Sequence, residues 1–244
     1  EEISQDSNYV YVGDFGNNVN GNRTNLKILR VSKSSIILNM PVIDTIHFVY
    51  SDQVDFTPTG ANNTDYDCEA FVVSSDSIYL FTKQWVSNGT GVYAMPKSPG
   101  THIAQLQTGY NVQGLITGAV YMEDQRLVVL SGYNNLLQPF IYCLYDFYNT
   151  VFFSGNKRKI NLSLPFHQME GIATNNGLKY YLTNEYFNQP PIITIPQKLH
   201  VFELNTILSD YLTGLSVSLP VIDQASKHEV FPNPAEGVIS IRLD

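Results

Sequence analysis

The chain has 244 residues, of which 43% are hydrophobic and only 15% charged, with a net charge of -8. That is enough apolar material for a sizeable core and too little charge for a disordered chain. The 14 Lys and Arg residues do not cluster, which argues against nucleic acid as a partner, and no apolar run approaches the roughly 20 residues that span a bilayer.

The first elements set a pattern. "EEISQDSNYVYVGDF" (Glu1 to Phe15) reads as a hairpin with an acidic residue at its start. A third strand follows at Leu26 to Val31 and a fourth at Val42 to Tyr50. Alternating apolar and polar positions with β-branched and aromatic residues predict strands rather than helices. The pattern then returns. Hairpins recur at Asp67 to Trp85, Leu115 to Tyr133 and Gln168 to Glu185, anchored at Glu69, Thr117 and Glu170 as the first is at Glu2. Third strands recur at Gly91 to Pro96, Phe140 to Phe147 and Lys198 to Leu204, and fourth strands at His102 to Tyr110, Lys157 to Pro165 and Leu215 to Pro220. Helical patterning is confined to Asn205 to Gly214.

Four antiparallel strands per unit, repeating every ~50 residues, predict an all-β chain folded as a β-propeller of four-stranded blades. A two-sheet sandwich with Greek-key links is the alternative, but it leaves the recurring anchors unexplained. Four blades are at the lower end for a closed ring, and the chain opens on Glu1 rather than Met, so it reads as a fragment lacking at least one upstream blade. The propeller is assigned to residues 1–222, and residues 223–244 to a linker and a further domain start. Cys68 and Cys143 are read as two buried thiols in preference to a disulfide.

Taken in order, "YVGDFGNNVNGNRTNLKILRV", "DCEAF", "ITGAV" and "MEGIAT…LTNE" resemble a family of secreted β-propeller proteins of Bacteroidetes. The resemblance implies a preceding blade and about five in all. "EVFPNPAEGVISIRL" (Glu229 to Leu243) resembles the opening of a type IX secretion C-terminal sorting domain, with Phe231, Pro232, Asn233, Pro234, Ala235 and Gly237 at the matching positions. This implies a partnership with the type IX secretion machinery and a secreted or cell-surface location.

Chemistry is expected at one mouth of the channel. In antiparallel pairing, the start of each first strand lies beside the end of the second. This brings Glu2 towards Asp14, Asp67 and Glu69 towards Lys83, Thr117 towards Gly132, and Glu170 towards Asn184 and Glu185. Asp67, Glu69 and Glu170 are oxygen donors of the type Ca²⁺ takes, and the plainer reading is that these acids solvate a channel. Two functions follow: a surface module binding a glycan or small molecule, and a Ca²⁺-dependent hydrolase of esterase, phosphatase or glycosidase class. No Ser-His-Asp set accompanies them, and of the five histidines only His167 lies near the mouth. The Gly13 to Arg23 loop reads as a hairpin held by Asp14 and Asn17. Trp85, Tyr133, Tyr186 and Phe187, just past second strands, are candidates for stacking on sugars or for core packing.

Overall fold

A computed structural model describes residues 1–214, 229–231 and 240–242. The protein is all-β with several sheets. The first unit contains β1 (Ile3–Gln5), β2 (Tyr9–Asp14), β3 (Lys27–Ser32), the single-turn α1 (Lys33–Ile37) and β4 (Ile43–Tyr50). The second contains β5 (Asp67–Val73), β6 (Ser77–Lys83), β7 (Thr90–Pro96) and β8 (Gly100–Tyr110). The third has β9 (Leu115–Met122), β10 (Leu127–Tyr133), β11 (Pro139–Tyr145) and β12 (Asn156–Asn161). The fourth has β13 (Met169–Thr174), β14 (Lys179–Asn184) and β17 (Lys198–Glu203), interrupted by the small hairpin β15 (Phe187–Gln189) and β16 (Ile193–Ile195). Helix α2 (Asn205–Gly214) follows, and β18 (Glu229–Phe231) pairs with β19 (Ser240–Arg242).

Each unit is an antiparallel meander in chain order, as the repeat predicts. One departure joins the first two. Outer strands β4 and β8 pair in parallel, Ile46 opposite Gly100 through to Tyr50 opposite Ala104, making one eight-stranded sheet. Two edge strands thereby satisfy backbone groups that separate blades would leave open. β1 and β5, at the far ends of that sheet, lie against each other, so it curls into a nearly closed barrel. The proposed fourth strand of the last unit, Leu215 to Pro220, lies outside the described residues. So does most of the sorting-domain motif.

Three apolar cores lie between the units. Tyr11, Phe15, Phe48, Phe71, Leu80 and Tyr93 fill the barrel. Phe81, Ile116, Leu130, Phe140 and Phe152 join the second unit to the third. Val129, Ile141, Tyr180, Leu182 and Leu208 join the third to the fourth and to α2. Side chains alternate faces along a strand. On β6, therefore, Ile78 and Leu80 enter the first core while Tyr79 and Phe81 enter the second. The strand is apolar on both sides because both sides are covered. On β14 only alternate residues are buried, and Tyr181 faces solvent beside Leu199 and Val201 of β17.

Cys68 and Cys143 are free and buried. Burial pushes the Cys143 thiol up to about 12 and raises that of Cys68 as well, so neither presents a reactive thiolate. Ellman's reagent is expected to leave both unlabelled in the native protein and to label both in denaturant. Native labelling on the mixing timescale would contradict this packing.

Candidate functional site

The anchors share a backbone device that the sequence does not announce. In β5 the register steps from Cys68 opposite Thr82 to Ala70 opposite Phe81, leaving Glu69 as an extra residue. In β9 it steps from Gly118 opposite Ser131 to Ile116 opposite Gly132, leaving Thr117 unpaired. In β13 the irregularity falls between Met169 and Ile172, at Glu170 and Gly171. A bulge re-aims its side chain out of the regular alternation. Three of the four recurring anchors are thus bulges at equivalent points of the first strands of their units, and these strands pack side by side, while Glu2 stands at no bulge.

The bulges also knit neighbouring units together. Thr117 Oγ1 donates to the Met169 carbonyl and Ser131 Oγ donates to the Glu170 carbonyl at 3.1 Å. A side chain at Gly118 would collide with that same Glu170 carbonyl, its Cβ falling 2.2 Å from the oxygen. Glu2 closes the set from β1's side, its Oε2 accepting from the Ala119 backbone N–H at 3.3 Å.

Glu69 and Glu170 line one cavity, near enough for the charge on Glu69 to act on Glu170, and Lys83 Nζ lies 2.7 Å from Glu69 Oε2. The Lys83 side chain is only 4% exposed and that of Glu69 15%, so this ion pair is largely withdrawn from water. The ammonium also sits over two rings, 4.7 Å from the Trp85 centroid and 5.2 Å from that of Tyr133. Both aromatics therefore serve the cation.

Electrostatics follow from burial. Glu170 is pushed up to about 9, first by desolvation and then by the neighbouring Glu69 charge, so it keeps its proton at neutral pH. Glu69 is raised too, since burial outweighs the lowering effect of Lys83. Burial pulls the Lys83 ammonium down, but the Glu69 carboxylate more than compensates and its affinity for the proton rises. Glu2, withdrawn from water, is raised to about 7. The pair opens on a cavity of ≈490 Å³ lined by Glu1, Glu69, Glu170, Thr183, Asn184 and Glu185.

Several expected members stand apart or serve the scaffold. Asp14 does not reach the pair; it binds Arg23 at 2.8 Å and Lys27 at 3.1 Å, and the Arg23 hydrogen bond lowers its carboxyl. Asp67 is fully buried, with one oxygen accepting from the Asn17 N–H at 2.6 Å and the other from Trp85 Nε1 at 2.8 Å. Asn184 lines the cavity, but its side chain is committed to the carbonyls of Glu185 and Pro196 and to the His200 ring. His167 hydrogen-bonds the Pro165 carbonyl, its ring 5.3 Å from that of His200. In the Gly13 to Arg23 loop, Asn17 Oδ1 accepts from the Arg23 N–H at 2.9 Å, while Asp14 holds the Arg23 side chain rather than the main chain.

The calcium expectation loses its donor set. Asp67 spends both oxygens on the scaffold, and Lys83 holds the place beside Glu69 that a cation would take. Among the described residues no group of three or more His, Cys, Asp or Glu side chains is placed to hold a metal ion. Nor is any helix of the described residues long and apolar enough to cross a membrane. Compared with protein-family models and with curated proteins, the chain finds no match.

Proposed function

We propose that the chain is an exported β-propeller binding module, its repeated sheets acting as blades, with a ligand held at the channel mouth by Glu69 and Glu170. The observation that carries this is the buried Glu69–Lys83 ion pair with Glu170 on the same wall of a ≈490 Å³ cavity. Glu1 and Glu185 add carboxylates to the same wall, so the cavity is rich in acceptors. Such a wall favours a small polar ligand that donates hydrogen bonds, above all a protonated amine. An ammonium group seated beside the carboxyls replaces the proton that Glu170 holds, and binding releases that proton to solvent.

The pairing of Glu69 with Lys83 favours binding over glycoside hydrolysis, which needs two carboxyl groups free to flank the scissile bond. A hydrolase of another kind retains one supporting feature, a carboxylic acid beside a carboxylate at neutral pH. Export is supported by the match of Phe231 to Gly237 with the sorting-domain opening.

Calorimetric titration with a panel of small amines and polyols, in buffers of differing ionisation heat, tests the reading. Amine binding with release of about one proton at pH 7 is expected, and Glu170→Gln is expected to abolish the proton release. Binding by neither class, with turnover of an ester substrate lost in the same variant, would favour the hydrolase instead.

A further inference from the structure

A second cavity, of ≈410 Å³, lies between the second and third units, in loops that follow β6 and β10 and the segment between β8 and β9. Its wall carries five side-chain amides, Asn88, Asn111, Gln113, Asn134 and Asn135, with Leu136 and with Ser87, whose hydroxyl donates to the Asp65 carboxylate. No acidic or basic side chain lines it. Lys159 of β12 spends its ammonium on the Val112 and Gln113 carbonyls at 2.7 and 2.9 Å.

Most of the amide groups are unspent. Asn111 and Asn134 use their oxygens to cap the loops, accepting from the N–H groups of Gln113, Leu136 and Gln138. Among the described residues, no hydrogen bond engages the amide nitrogens of these two or the side chains of Asn88, Gln113 and Asn135. Each primary amide offers two donors and an acceptor. Leu136 stands 81% exposed on the rim, contributing to no core.

The loops are held in place. Gly114 N–H donates to the Asn88 carbonyl at 3.0 Å, Leu137 N–H to the Asn134 carbonyl at 2.8 Å, and Phe166 N–H to the Leu137 carbonyl at 2.8 Å. Three non-glycine residues, Asn88, Gln113 and Leu137, are kept in the left-handed region at φ 54. Asparagine tolerates this conformation, whereas glutamine and leucine adopt it only where surroundings enforce it.

We propose that this cavity is a subsite for a neutral, hydroxyl-rich ligand: a short uncharged oligosaccharide. Vicinal hydroxyls both donate and accept, as primary amides do, and the C–H face of a pyranose ring matches an exposed leucine. A charged ligand finds no counter-charge here. An extended peptide needs free main-chain partners, and these loops spend theirs on one another. The site is independent of the carboxyl pair: it shares no lining residue with that cavity.

The test uses saturation-transfer NMR on the whole chain with a panel of neutral oligosaccharides, followed by titration of any that bind. At least one is expected to bind in the millimolar range or tighter, with saturation transferred to ring C–H protons. Asn135→Ala combined with Leu136→Ala touches no hydrogen bond or core and is expected to weaken binding by about tenfold or more while leaving the melting temperature unchanged. Gln113→Asn, which suits the left-handed backbone, provides a second variant with the same expected loss. Glu170→Gln is expected to leave sugar binding intact. The proposal is overturned if no panel member binds at ~10 mM, if binding survives the double substitution, or if short peptides bind while sugars do not.

Discussion

Replacing Glu170 with Gln stabilises the fold at pH 8 by about 1–3 kcal/mol. The folded protein holds this carboxyl at about 9 against an ordinary value of 4.5, because it is buried beside Glu69. The sign is fixed by that direction. A raised folded value gives a contribution fully present below about 4.5 and lost progressively as pH climbs through about 9. Glu2, raised to about 7 by burial, acts in the same sense over the lower part of that range. Asp6 opposes them at the acid end: against the burial that would raise it, hydrogen bonds from the Asn8 N–H and Lys97 hold it at about 2. Thermal stability is therefore expected to peak near pH 4–5 and decline steadily to pH 9, by at most about 1.4 kcal/mol per pH unit per group. Melting curves across pH read this directly. Glu170→Gln flattens the alkaline decline, and an unaltered decline with no gain at pH 8 would remove the buried proton from the account.

Lys83→Met has the opposite effect. It leaves Glu69 buried without its cation, and loss of one partner of a buried pair costs about 3–5 kcal/mol. The pair is 2.7 Å apart, with the lysine side chain 4% exposed and wedged over Trp85 and Tyr133. The penalty is expected at pH 7 and shrinks as the pH falls and Glu69, raised by burial, takes up a proton. Adding Glu69→Gln to Lys83→Met is expected to restore more than half of the loss, because both charges are then gone. Denaturant unfolding of the two variants and the double variant closes the cycle. A loss under about 1 kcal/mol for Lys83→Met, or simple additivity in the double variant, would show that the pair is solvated rather than buried.

The strands were legible because their alternation is strong. "LKILRV" and "KLHVFEL" fall on β3 and β17 within a residue or two, and the segment with helical patterning is α2, whereas the single-turn α1 is too short to carry a pattern. The recurring anchors were also legible, but not their cause. A bulge is one surplus residue in a ladder, visible only once both strands are paired, so Glu69 and Glu170 read as strand residues when they are bulge residues. Pairing of β4 with β8 was hidden for a related reason: edge strands of similar composition give no sign of whether their outer edge meets water or another strand. The hairpin β15–β16, inserted between β14 and β17, shows no alternation in the sequence because its strands are three residues each. Strand position alone points Asp14 and Asp67 at the site. Arg23, Lys27, the Asn17 N–H and Trp85 claim them, and sequence spacing does not rank such competitors. The amide-lined cavity carries no motif at all, because its five amides come from three separate loops.

The most direct measurement is a carboxyl-detected NMR titration of the glutamates, with Glu170→Gln and Glu69→Gln used to assign the resonances. The account predicts that Glu170 titrates near 9 and Glu2 near 7, and that Glu69 and Glu170 shift together as one proton leaves the pair. Independent titration of Glu69 and Glu170 in the ordinary range of about 4–5 would contradict it, leaving two solvated acids on the wall of a channel.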